Sequence, residues 1–240
     1  MKYTNLVTDE VLENIKRAND ACRALHVPTP PVQFIRLSVN DEHGECLEQY
    51  FSKSNSWLRN AYNSLASLFL PAQGSSGSST FGAGSLSVKT TAASTGRSAG
   101  YLIGPYNLDF LNVYNSSANA NFGILIGTSD AAESFDQYNL QAPIAHGTGA
   151  GQMSYAAGTA PVTTYDSGTK KWTSSTRRLF SNSSGSDIVV KEVGFAFNLC
   201  WANGVNGNCL MSRDVLASPI TVGNGKVLTV DIVTEITFPA

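Results

Sequence analysis

The last third of the chain alternates apolar and polar positions. Leu228, Val230, Ile232, Ile236 and Phe238 fall on one face, and Thr229, Asp231, Glu235 and Thr237 on the other. A two-residue period predicts a half-buried β-strand, because successive side chains leave opposite faces of the backbone. Val193, Phe195, Phe197, Leu199 and Trp201 repeat the pattern, with Gly194, Ala196 and Asn198 between them. The same reading predicts strands over Leu86–Thr90, Phe122–Gly127, Gln152–Ala156, Trp172–Asn182, Ile188–Asn198, Leu210–Arg213, Pro219–Val222 and Lys226–Phe238. Turn clusters such as Ser183-Ser184-Gly185 and Gly223-Asn224-Gly225 separate them. Short strands spaced in this way predict a mainly β body, either an antiparallel β-sandwich or a jelly-roll-like arrangement.

The N-terminal part follows another rule. Val11, Ile15, Ala18, Cys22 and Leu25 form a helical stripe over Thr8–Leu25, with Thr8 as cap and Asp9 and Glu10 in the first turn. Val32–Val39 and Cys46–Phe51 alternate around Asp41-Glu42-His43-Gly44 and predict a hairpin. Asn55–Leu70 predicts a second helix with Trp57, Leu58, Ala61, Leu65, Leu68 and Phe69 on its apolar side. The chain is then α+β overall. A helix–hairpin–helix anchoring region occupies 1–73, a Gly/Ser linker 74–85 and a β-sandwich domain 86–240. Val11, Ile15, Trp57, Leu58 and Leu65 are the expected anchoring residues, and deleting Met1–Leu70 is expected to leave a soluble body.

Charge changes this picture. Only 14% of the residues are charged, against about 25% in ordinary globular proteins. Between Pro71 and Tyr165 the charged side chains are Lys89, Arg97, Asp109, Asp130, Glu133 and Asp136. Such a surface either stays soluble through uncharged polar groups or is covered by other copies of the chain. A net charge of −2 offers no footprint for nucleic acid. No run approaches the ~20 apolar residues of a membrane span, and the first residues lack a signal-type apolar core. The expectation is a product folded in the cytoplasm without membrane insertion.

Little in the chain points to chemistry. His26, His43 and His146 lack metal-ligand spacing, and a hydrolytic triad is not expected. Gly147-Thr148-Gly149-Ala150-Gly151-Gln152 lacks the Lys of a phosphate loop and reads as a turn. Asp130, Glu133 and Asp136 are either calcium ligands, a catalytic pair or surface residues. Tyr155, Tyr165, Trp172 and Phe180 are either a sugar-stacking platform or core. Lys170-Lys171 and Arg177-Arg178 read as charges on solvated strand edges. Cys200 and Cys209 flank a short segment and either pair across a hairpin or remain reduced, as Cys22 and Cys46 do. The sequons at Asn115 and Asn182 are discounted without a signal peptide. No catalytic residue, metal or cofactor is expected. Glu192 is the lone acid in an apolar run. If buried it needs a partner, and Arg213 is the candidate; otherwise Glu192, Arg213 and Asp214 are all exposed.

Several stretches resemble a group of poorly characterised virion structural proteins of tailed bacteriophages and prophages. The landmarks are Gly123–Gly127, Tyr138-Asn139-Leu140, Gly147–Gly151, Asn182 with Gly185, Glu192-Val193-Gly194, Arg213-Asp214, the Val230–Phe238 strand and the Ser54–Asn63 segment. The resemblance implies a non-enzymatic virion protein that forms homo-oligomers at the capsid surface, neck or tail. Its partners would be copies of itself and other virion proteins. The alternative expectation is a receptor-recognition module that binds a host-surface glycan, to which low charge and abundant Asn, Ser, Thr and Tyr are suited.

Overall fold

The computed structural model describes residues 1–27, 29–54, 57–62, 87–91, 93–98, 111–112, 117–200 and 206–238, with backbone alone at 87–90, 93–98, 111–112, 199–200 and 206. They form a mixed α+β fold dominated by strands in two sheets. In chain order the elements are β1 (Lys2–Asn5), α1 (Asp9–Ala24), β2 (Val32–Asn40), β3 (Cys46–Lys53), β4 (Ser87–Thr90), β5 (Ala93–Ser98), β6 (Leu111–Asn112), β7 (Gly123–Gly127), β8 (Ser154–Tyr155), β9 (Val162–Asp166), β10 (Lys171–Ser181), β11 (Ile188–Cys200), β12 (Asn206–Val222) and β13 (Val227–Thr237).

The larger sheet has seven strands in the order β1-β3-β2-β13-β10-β8, with β9 also on β10. β13 is its middle. β10 runs along one edge from Lys171↔Thr237 to Ser181↔Val227, and β2 along the other from Val227↔Asn40 to Glu235↔Val32. The smaller sheet places β12 on one edge of β11, and β7 and β6 on the other. β4 and β5 form a separate pair. Leu37, Val39, Phe180, Leu228 and Val230 of the larger sheet share one buried cluster with Val190, Val193, Leu210, Ile220 and Val222 of the smaller.

The hairpin expected in a separate anchoring region is part of this body. β2 lies between β3 and β13, and β1 adds to β3 in parallel. The physical reason is the inner-face row Ile35, Leu37 and Val39, which pairs with Ile232, Val230 and Leu228 and closes the core. Of the expected second helix, residues 59–62 form a helical turn. Trp57 bridges Ser212 of β12, and Leu58 is only 1% exposed within the core. Leu65 and the Gly/Ser stretch lie outside the described residues.

α1 is the helix the stripe predicts. Thr8 Oγ1 accepts from Val11 N. The C-terminus closes with Val27 N donating to Cys22 O and His26 N to Arg23 O, and His26 takes the left-handed conformation (φ 55°) that glycine usually supplies. α1 buries no residue completely. Val11 and Ile15 are half-buried beside an open hollow of about 380 Å³, which Val32 and Lys53 also line.

The strands expected over Leu210–Arg213 and Pro219–Val222 are one strand, β12. Val190 pairs with Ile220 but Glu192 with Val215, so residues 216–219 bulge opposite Lys191. Pro219, which has no N–H to give a ladder, sits in that bulge. Among the described residues β1, β5, β6 and β9 are strands the alternation did not announce. The chain crosses between the sheets at 182–187 and again at 223–226, and buried Asn182 joins the two corners. Its Nδ2 donates to Ser186 O (2.8 Å) and Val222 O (2.7 Å), and its backbone exchanges hydrogen bonds with Lys226 and Gly225.

Candidate functional site

Where β7 ends, the chain makes a loop over 128–142 with a closed neck. Thr128 N donates to Ala142 O (2.9 Å) and Ile144 N to Ile126 O (3.0 Å). Such compact loops of 6–16 residues depend on internal ties for their shape. Here the ties are the buried charges.

Glu192 and Arg213 are both fully buried and meet at 2.6 Å from Oε2 to Nε. Of the two sequence alternatives, burial as a pair or exposure, the structure shows the buried pair, and its remaining groups reach into the loop. Ala142 N donates to Glu192 Oε1 (2.8 Å) and Gln141 N to Oε2 (3.2 Å). Arg213 Nη2 donates to Ala131 O (3.0 Å) and Nη1 to Gln137 Oε1 (3.1 Å). A buried ion pair is tolerated when its remaining donors and acceptors are satisfied in this way. Gly127 makes room: a Cβ there would stand 2.3 Å from Glu192 Oε1 and 2.7 Å from Ala142 O.

The three carboxylates of the loop diverge to separate supports. Asp130 meets Lys191 at 2.7 Å, and that ammonium holds its carboxyl below the usual range. Glu133 accepts from Val215 N at 2.7 Å. Asp136 meets Arg59 Nε at 2.7 Å, while Arg59 N donates to Phe135 O and its guanidinium lies over the Phe135 ring. Among the described residues no three His, Cys, Asp or Glu side chains gather as a metal site. On its outer side the loop lines an open cavity of about 620 Å³, with Ser134, Asp136, Gln137, Tyr138, Asn139 and Gln141 in its wall.

Arg178 corrects the strand-edge reading. It is 1% exposed and donates to the carbonyls of Ala156, Phe122, Ile124, Ser117 and Asn119, with its guanidinium 4.9 Å from the centre of the Tyr155 ring. Burial lowers its pKa to about 10. The missed signal is parity, because Arg178 shares the inner face with Thr176 and Phe180. Its neighbour Arg177 is the outward charge and pairs with Asp231 at 2.6 Å.

The remaining candidates separate. Tyr155 and Phe180 are core, edge to face at 4.7 Å. Burial raises the Tyr155 hydroxyl pKa, and that hydroxyl donates to Ile144 O. Tyr165 is 55% exposed on β9 and pairs in register with half-buried Trp172. The four rings thus fall into two separate pairs and form no single platform. Gly147–Gln152 is a turn closed on itself: Gly147 N donates to Met153 O and Gly149 N to Gln152 Oε1. His146 Nδ1 accepts from Tyr155 N, and His43 sits in the hairpin turn. The Asn182 side chain is buried and hydrogen-bonded, and Asn115 lies outside the described residues. Cys209 is a free, buried thiol whose pKa burial pushes up to about 12. It pairs with Phe197, whereas Cys200 pairs with Asn206. Three positions along a strand are roughly 10 Å, beyond the reach of a disulfide.

No helix among the described residues is long and apolar enough to cross a membrane. No family model, curated protein or solved structure matches the chain.

Proposed function

We propose that this chain is a non-enzymatic virion structural protein of a tailed phage, assembling as a homo-oligomer through its larger sheet. The two sheets would form a sandwich-like body, and the half-covered stripe of α1 would meet a neighbouring subunit. The observation that carries the reading is that the larger sheet ends in open edges with exposed apolar side chains. At one edge β9 pairs with β10 alone among the described strands, and all five of its residues are exposed, Val162 by 64% and Tyr165 by 55%. At the other, β1 pairs with β3 alone among the described strands, with Met1 81% and Tyr3 56% exposed. Monomeric proteins protect such edges with charge, proline or covering loops. Ring or shell subunits complete them with another copy. The sequence resemblance supports the phage lineage, and the sparse charge supports broad contact between chains.

Analytical ultracentrifugation of the full chain tests assembly. The expected result is a discrete oligomer, which Thr163→Pro on β9 converts to smaller species by removing an N–H that faces away from β10. A wild-type chain that stays monomeric at all accessible concentrations would falsify the reading.

A further inference from the structure

We infer that the cavity outside the 128–142 loop is a binding site for a neutral saccharide. This goes beyond the assembly role and does not depend on it. The first argument is the chemistry of the wall. Gln137 Oε1 is occupied by Ser134 N (3.1 Å) and Arg213 Nη1 (3.1 Å), and Asn139 Oδ1 by Leu140 N (2.9 Å). With both oxygens engaged, the amide orientations are fixed and their NH2 groups remain as donors. The Gln141 side chain is exposed beside them. Asp136 supplies carboxylate acceptors, and its charge is balanced by Arg59 at 2.7 Å. Tyr138 adds a ring, and Ala131, Ala132 and Leu140 add apolar wall. Amide donors, a balanced carboxylate, a ring and small apolar surface match the hydroxyls and C–H faces of a sugar. Among the described residues of the wall no unpaired charge is present to select an ionic ligand. A volume of about 620 Å³ lies within the ~300–1,000 Å³ range of small-ligand sites.

The second argument is rigidity. A loop without regular structure loses affinity to the entropy of ordering, unless it is ordered beforehand. This one is held at both neck strands, at Ala131 and Gln137 by Arg213, at Gln141 and Ala142 by Glu192, and at Val215 by Glu133. Glu192 and Arg213 are thus positioning residues for the wall, which gives a buried ion pair a use beyond stability.

The test applies the full-length chain to an array of immobilised neutral and acidic oligosaccharides, followed by calorimetry with the best neutral member. Asn139→Asp keeps the acceptor for Leu140 N and removes the NH2 donor. Gln141→Ala removes a side chain that makes no hydrogen bond within the fold. The expected result is saturable binding of wild type to neutral members and about a tenfold loss of affinity in each variant, with melting temperatures unchanged. Binding confined to acidic members, wild-type affinity retained in both variants, or no saturable binding to any neutral member overturns the proposal. None of these outcomes alters the oligomeric state by which the assembly role is judged.

Discussion

Glu192 and Arg213 show how much one residue's surroundings decide. Each is fully buried, and each satisfies the other and the loop above. Removing one partner leaves the other charge unpaired in the interior. Glu192→Gln is therefore expected to lose about 3–5 kcal/mol in urea unfolding, whereas replacing both residues with methionine loses less than the sum of the single changes. Additive losses would show that the two act separately. Cys209 carries a pH effect of known sign. Its folded pKa of about 12 lies above the ~8.5 of a free thiol. The thiol's contribution is complete below about pH 8.5 and is lost as pH rises towards 12. The urea midpoint should fall between about pH 8 and about pH 10, and fall less in Cys209→Ala. Below about pH 10 the raised pKa of Tyr155 and the lowered pKa of Arg178 add little. A midpoint equally pH-dependent in both proteins would refute the assignment.

At the scale of elements, pairing outweighs propensity. β13 was legible because it is central, with one face buried and the other bearing Asp231 and Glu235, each opposite a cation on β10 or its start. β9 was not, because a strand exposed on both faces has no period to read. β12 reads as two pieces because its bulge interrupts the alternation at Pro219. The two crossings between sheets meet at Asn182, where a polar side chain replaces a longer loop. Asn182→Ala strips partners from the carbonyls of Ser186 and Val222. The expected loss is about 2 kcal/mol, together with faster amide exchange at both 183–187 and 223–226. Exchange confined to the first turn would mean that the corners are not coupled.

For the whole molecule, the N-terminal hairpin alters the meaning of a truncation. Deleting Met1–Leu70 removes β1, β2 and β3 and uncovers Leu228, Val230 and Ile232 along the freed edge of β13. The expected product is insoluble or unfolded, as recovery from the soluble fraction and near-ultraviolet circular dichroism will show. A soluble, cooperatively melting fragment would mean that the hairpin is an accessory after all.

Local pattern was enough to show a strand-rich chain with a capped helix near its start and a polar, charge-poor middle. These properties follow from local periodicity and composition, which require no knowledge of what lies across the fold. The sequence also offered Arg213 as the partner of Glu192 should that acid be buried, with exposure of both as the alternative, and the fold decided between them. Tertiary structure alone decided that β2 closes against β13, and that Arg178 points inward onto carbonyls. It also sent Asp130, Glu133 and Asp136 to three different supports. Those outcomes depend on which strands become neighbours, and contacts between residues far apart along the chain leave no period to read.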